Sequence, residues 1–150
     1  MIDGNYQSGV SPSVTVMLTG ERTQLAPLRN GEYATVAVVT FPLQTLASAL
    51  DERAEIWSGL AMSWRAFPAQ PNHGKPVVRA ELESAAWLVQ IMIWSTGEAE
   101  LETVRLRDDR IVNKHFDLTS RSDLDDLLDQ LVRLLVHNEV PEEAIVQTEQ

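Results

Sequence analysis

The chain lacks several features on which whole classes of protein depend. It has no cysteine, which excludes disulfide bonds and thiolate chemistry. No apolar run approaches the roughly 20 residues that a membrane-spanning helix needs. The first 13 residues have neither a basic start nor the apolar stretch of a secretory signal. We therefore expect a cytoplasmic protein that does not associate with a membrane.

Basic residues are also scarce. The 12 Lys and Arg against 22 Asp and Glu give a net charge of −10. A domain this acidic repels a phosphate backbone, so nucleic acid is not an expected partner. The charge favours a basic protein partner, because complementary charge speeds the encounter of two proteins. Many soluble bacterial proteins are acidic for solubility alone, so both interpretations stay open at this point.

Motifs of catalysis and cofactor binding are missing as well. The sequence contains no P-loop, no GxGxxG, no GxSxG and no HExxH. The histidines His73, His115 and His137 do not pair with one another or with a cysteine at the spacing of a zinc site. We expect no metal, no cofactor and no catalytic residue set. The remaining enzymatic hypothesis is a small hydrolase in which His115 works with a neighbouring carboxylate.

Glutamates recur at every second position within two strand-like segments, so each group shares one strand face. They are Glu81 and Glu83 in one segment and Glu98, Glu100 and Glu102 in another. Paired carboxylates can act as acid and base in glycoside hydrolysis or bind hard cations. Like charges on an open sheet face are more often simply solvated, and we interpret both groups as an acidic surface.

Four strand-like segments follow one another in the second half of the chain. They cover residues 77–83, 86–94, 99–107 and 110–118. The gaps between them are too short for parallel crossovers, so the segments predict an antiparallel meander. The run at residues 87–94 is apolar at almost every position, which predicts a central strand largely covered on both faces. Irregular apolar spacing in the third segment predicts a bulge near Glu102 or Thr103.

Two helices are predicted to cover one face of this meander. Apolar residues recur at helical spacing over residues 42–67, with Pro42 in the first turn and Thr40 as the N-cap. A leucine stripe follows Ser120 or Ser122, either of which can cap a second helix. The predicted fold class is α+β: an antiparallel four-stranded meander packed against two amphipathic helices, with room for further N-terminal strands.

The length of 150 residues favours one domain with a single core. We expect that core domain to cover residues 41–138. Residues 1–40 are expected to form a partly disordered extension with one or two strands, at residues 14–18 and 34–40. Residues 139–150 are expected to form an acidic C-terminal tail.

Tryptophan is well represented among the few aromatic residues. Trp57 and Trp64 are one heptad apart, which places both on one face of the first predicted helix. Trp87 and Trp94 are seven apart on a predicted strand, so they point to opposite faces of the sheet. One of these two therefore points away from the face that the helices cover. It is either covered by another element, which we favour, or exposed as a binding anchor.

Two segments of the sequence carry a recognisable pattern, KPVVRAELESAAWLVQIMIWSTGEAELETV and HFDLTSRSDLDDLLDQLVRLL. The matching positions are Lys75-Pro76, Glu83-Ser84, Trp94, the run from Gly97 to Leu101 and the helix from Ser122. In these positions, over residues 43–137, the chain resembles the TriTu immunity proteins of bacterial polymorphic toxin systems. The resemblance implies a small α+β protein that is not an enzyme and that neutralises a cognate toxin in the cytoplasm by binding it.

We expect the partner-binding surface to combine acidic residues with an aromatic anchor and a histidine. The candidate residues are Glu81, Glu83, Trp94, Glu98, Glu100, Glu102 and His115. The expected partner is a cognate protein toxin with a basic surface, bound by a monomer or a homodimer. A second binding hypothesis is a type III secretion chaperone, also small, acidic and α+β, although its order of helices and strands differs from the predicted one.

Overall fold

A computed structural model describes residues 21–27, 33–72 and 74–148, with side chains from residue 40 onward. The chain divides into two compact units, with the boundary after Pro42. In the first unit, strand β1 (Glu21–Pro27) pairs antiparallel with β2 (Tyr33–Val39). The predicted strand at residues 14–18, the expected disorder before it and His73 lie outside the described residues.

The second unit is built on a six-stranded antiparallel sheet. Its strands are β3 (Ser63–Gln70), β4 (Val77–Glu83), β5 (Trp87–Trp94), β6 (Glu98–Arg105), β7 (Arg110–Asp117) and β8 (Ile145–Gln147). Their order in the sheet is their order in the chain, so the predicted meander is confirmed for the four central strands. The predicted strand count was too low, because β3 and β8 extend the sheet at its two edges.

The first predicted helix is wrong in its extent. Two short helices, α1 (Thr45–Glu52) and α2 (Ala54–Gly59), replace it, and α1 begins after Gln44 rather than at the predicted cap, Thr40. The helix ends early because Ala61 has a left-handed backbone with φ of +56°. The Met62 N–H then donates to the Trp57 carbonyl at 2.9 Å, and the chain turns into β3.

The spacing of apolar residues at 63–67 fits both a helix and a strand. In β3, Trp64 and Ala66 lie on one face while Arg65 and Phe67 lie on the other, as register with β4 requires. Pro68 lies where the β3–β4 register shifts between Phe67 and Gln70. A proline fits there because β3 is an edge strand and a bulge tolerates a missing N–H. The predicted bulge near Glu102 is absent, since β6 keeps an unbroken register with both neighbours.

The core lies between one face of the sheet and the helices. Sheet residues buried on this face are Val78, Ala80, Leu82, Val89, Ile91, Ile93, Ala99, Leu101, Thr103 and Val112. Opposite them lie the buried helix residues Leu46, Ala49, Leu50, Trp57, Leu124, Leu127, Leu128, Leu131 and Leu134. Arg53 lies between α1 and α2, and its guanidinium donates hydrogen bonds to the carboxylates of Asp125 and Asp129, each at 3.2 Å. These bonds connect the first two helices to the helix at residues 121–137.

Helix α3 (Arg121–His137) has strong signals at both ends. Ser120 is the N-cap and accepts a hydrogen bond from the Asp123 N–H, which settles the two predicted capping candidates in favour of Ser120. Asn138 ends the helix in the left-handed conformation, with φ of 55°. Among the described residues, no helix is long and apolar enough to cross a bilayer.

Candidate partner-binding face

The two faces of the six-stranded sheet carry different residues. Helix α3 lies on the buried face, where the Lys114 Nζ donates to Gln130 at 3.0 Å and the Arg105 Nη1 donates to Asn138 at 3.0 Å. We call the opposite side, which carries no helix of residues 43–148, the open face. It is formed by Arg65, Phe67, Arg79, Glu81, Glu83, Leu88, Gln90, Met92, Trp94, Glu98, Glu100, Glu102, Val104, Ile111, Asn113, His115 and Asp117.

The structure brings all seven sequence-predicted binding residues onto the open face. Cross-strand register places Glu81, Gln90 and Glu102 in one row across β4, β5 and β6. A second row joins Met92, Glu100 and His115. The remaining predicted residues, Glu83, Trp94 and Glu98, lie at alternate positions of the same strands. The period of two predicted that the glutamates within each strand share a face. The cross-strand register brings the two groups, Trp94 and His115 to the same side of the sheet.

Sequence reasoning missed the apolar residues of this face. The run at residues 87–94 was expected to be covered on both sides, but only Val89, Ile91 and Ile93 are buried. Leu88 is 42% exposed, and Met92 and Trp94 are only half-buried. The signal that could have found this face is Gln90, the one polar residue of the run, because it shares its side of the strand with these three.

Glu81 is held by two arginines from neighbouring positions. The Arg79 Nη1 donates to its carboxylate at 2.8 Å and the Arg65 Nη2 at 3.1 Å. The Arg79 guanidinium also lies over the Phe67 ring, 4.3 Å from its centroid. Stacking and ion pairing together fix the orientation of these side chains. This corner of the open face therefore carries one more positive than negative charge.

His115 lies between two carboxylates on the other side of the face. Its Nδ1 lies 2.7 Å from the Glu100 carboxylate and its Nε2 lies 3.0 Å from that of Asp117. Only the protonated ring can donate from both nitrogens. The hydrogen bond with Glu100, and then that with Asp117, raises the pKa of His115 above its usual 6.5. The ring therefore holds its proton to a higher pH than a free histidine, and in the protonated form its charge offsets part of the acidic surface.

Glu98 is paired near the turn that joins β5 to β6. Lys75 forms a salt bridge with its carboxylate, and the Thr96 hydroxyl donates to it at 3.0 Å. The hydrogen bond from Lys75, followed by that from Thr96, lowers the pKa of Glu98. The side chain is consequently ionised throughout the neutral range. Glu98 is thus an internally compensated charge, unlike an acid left free for a partner.

Two other carboxylates of the open face stay uncompensated. Among the described side chains, neither Glu83 nor Glu102 has a salt-bridge partner, whereas Glu81, Glu98 and Glu100 each have one. The described residues also contain no group of three side chains that could hold a metal ion. Glu83 and Glu102 therefore carry charges that no described cationic side chain offsets.

Comparison with known families identifies the chain. The family model described as immunity protein TriTu matches residues 53–134. The chain belongs to the TriTu immunity protein family. No curated protein and no solved structure matches it significantly. Membership of the TriTu family supports a toxin-neutralising binding role in general, and the matched residues include all seven predicted binding residues of the open face.

Proposed function

We propose that the protein neutralises a cognate toxin in the cytoplasm by binding it directly through the open face of the six-stranded sheet, without catalysing a reaction. The observation that carries this proposal is the composition of that face. Its exposed or half-buried apolar side chains form two groups, Leu88 with Val104 and Ile111 at one end and Met92 with Trp94 on β5, and charged and polar side chains lie between and around them. Specific protein interfaces likewise combine apolar contact surface with polar side chains around it.

One apolar group of the open face is continuous across strands. Leu88, Val104 and Ile111 are direct cross-strand neighbours on β5, β6 and β7. Met92 and Trp94 form a second apolar group further along β5, separated from Leu88 by Gln90. Strand spacing gives the face dimensions of roughly 25 by 25 Å, or about 600 Å² before side-chain relief is counted. A standard interface buries about 800 Å² on each partner, so the face is large enough to form most of one.

Charge supports a basic partner surface. The chain carries a net charge of −10, and the open face contributes five glutamates and Asp117 to that total. Only some of these acids are neutralised by Arg65, Arg79, Lys75 and His115. A toxin with a basic surface would be attracted over a distance of about one Debye length, roughly 10 Å at moderate salt. We expect this attraction to set the association rate more than the lifetime of the complex.

The hydrolase hypothesis has less support from the same geometry. A general base needs a nitrogen lone pair, but both ring nitrogens of His115 face carboxylates and the ring favours its protonated form. The side chain is 49% exposed on an open sheet face rather than enclosed with a substrate. Loss of a hydrolytic activity in His115→Ala would restore this hypothesis.

Binding kinetics against the toxin domain encoded next to this chain's gene would test the proposal. We expect Met92→Lys to weaken binding at least tenfold, because it places a charge beside Trp94 in an apolar part of the open face. The matched control is Val136→Lys, which introduces the same charge at an exposed position of α3 and should leave affinity within about threefold. Measurements at two salt concentrations should show a faster association at the lower one. Equal effects of the two variants, or no binding at micromolar concentration, would contradict the proposal.

A further inference from the structure

A shallow depression of about 300 Å³ lies in the open face between β4, β5 and β6. Leu88 and Val104, which are cross-strand neighbours, form its apolar floor, and the polar side chain of Gln90 lies beside them. The carboxylates of Glu81, Glu83 and Glu102 line its sides. Leu88 is one of the most exposed large apolar side chains within any strand of this sheet. The depression is thus an apolar surface with acidic walls.

The acidic walls are not equivalent. Glu81 is already bound by Arg65 and Arg79. Glu83 and Glu102 have no cationic partner among the described side chains. Register places these two diagonally across Leu88, with their Cβ atoms about 12 Å apart by strand spacing. The protein therefore keeps two uncompensated carboxylates on opposite sides of an exposed apolar floor.

An arginine side chain fits this depression with both its aliphatic stem and its guanidinium. Its aliphatic stem can cover Leu88 and Val104, since such stems bury readily against apolar surface. Its guanidinium carries five donors in a planar fork that suits carboxylates. A wholly apolar side chain would leave both acids without a partner, and an acidic one would be repelled by them. We propose that this depression receives an arginine of the toxin; the inference rests on the proposed function.

The first test removes the two uncompensated charges without changing side-chain shape. Glu83→Gln/Glu102→Gln should raise the Kd for the toxin domain at least tenfold, mainly through faster dissociation. The matched control is Glu55→Gln/Asp126→Asn, which removes the same number of charges from exposed positions on α2 and α3. We expect that control to change the Kd by less than about threefold and to alter chiefly the association rate.

The second test does not need the toxin. The probe is acetyl-arginine amide, with acetyl-citrulline amide as its uncharged counterpart, titrated while amide chemical shifts are recorded by NMR. We expect arginine, and not citrulline, to shift the amides of Leu88, Gln90 and Glu102 in a saturable way. The shifts should disappear in Glu83→Gln/Glu102→Gln and persist in the helix control.

The outcomes separate this inference from the proposed function. If Met92→Lys weakens toxin binding but Glu83→Gln/Glu102→Gln behaves like the helix control, the arginine site is wrong and the proposed function stands. If neither variant weakens binding, the proposed function is wrong. Equal shifts from arginine and citrulline, or shifts that avoid the depression, would overturn the arginine site whatever the toxin does.

Discussion

The two faces of the six-stranded sheet are made by the same strands but meet different demands. In β5, Val89, Ile91 and Ile93 are buried against the helices. Leu88 and Met92, at alternate positions of the same strand, are exposed or half-buried on the open face. Apolar composition alone therefore does not mark the core. What separates the faces is the polar content of the neighbouring strands, which is low on one side and high on the other.

The two faces also differ in the hydrogen bonds and ion pairs that their polar groups form. On the buried face the Thr103 hydroxyl is enclosed and has no hydrogen-bond partner among the described residues. On the open face, charged side chains form ion pairs in local groups around Glu81, Glu98 and His115. One face is stabilised by packing, and the other is organised by charge. The predictions below test this division from the largest expected effect to the smallest.

Truncation of a buried leucine should cost far more stability than truncation of a leucine on the open face. Leu131 is fully buried in α3, so Leu131→Ala should lower the free energy of unfolding by about 2–5 kcal/mol. Leu88→Ala, at 42% exposure, should cost less than about 1 kcal/mol. Denaturant unfolding measures both. Similar costs for the two variants would show that the faces do not differ as described.

Gly97 should tolerate no side chain. Its φ is +98°, and a Cβ atom there would collide with the Leu118 carbonyl oxygen. Gly97→Ala should therefore destabilise by about 2–4 kcal/mol, from backbone strain and overpacking together. Gly59 in α2 is the matched control, because a Cβ atom added to it would meet no other atom within 4 Å. Gly59→Ala should be neutral or stabilise by up to about 1 kcal/mol, measured in the same unfolding series.

Substitution of the two tryptophans of β5 should have different effects, one on toxin binding and the other on stability. Trp94 lies on the open face, and Trp94→Ala should weaken toxin binding by about 2 kcal/mol through a faster off-rate. Trp87 lies on the side of the strand that faces α3 and should affect stability instead. Surface plasmon resonance and thermal unfolding of both variants check this. A binding defect confined to Trp87→Ala would reverse the assignment of the faces.

His115 should contribute a small, pH-dependent term to stability. Its pKa is raised in the folded protein, so the folded state holds the proton more tightly than the unfolded state. The stabilisation is complete below about pH 6.5 and is lost as the pH rises through the raised pKa. His115→Gln should remove this part of the pH dependence, and Glu100→Gln should lower the pKa seen by NMR titration. An NMR pKa at or below 6.5 would contradict the ion-pair geometry.

The sequence predicted the central sheet because its signals are local. Tight turns such as Thr96-Gly97 and short gaps leave only antiparallel pairing between consecutive strands. The alternation of glutamates predicted that each group shares one face of its strand, because strand side chains repeat with a period of two. Helix α3 was equally predictable, since Ser120 and the leucine stripe are both short-range signals.

The prediction from sequence was wrong where one pattern of apolar residues fits both the period of a helix and the period of a strand. Trp57 and Trp64 are seven residues apart, which suits a helix, yet Trp64 lies in an edge strand. Only pairing with β4, a tertiary contact, decides between the two. The open face of β5 was missed for a related reason. Its apolar residues resemble core residues in composition, and they are exposed because no helix of residues 43–148 lies on that side of the sheet.

The order of the strands has a consequence for how quickly the protein becomes active. From β3 to β7, every hydrogen-bonded strand pair is formed by segments that follow one another in the chain across a short loop. Closing such short loops costs little entropy, and proteins rich in local contacts fold faster than those that depend on distant pairings. This part of the sheet can therefore grow one hairpin at a time as the chain is synthesised. Under the proposed function, a sheet that assembles in this way shortens the time before the open face can bind a toxin.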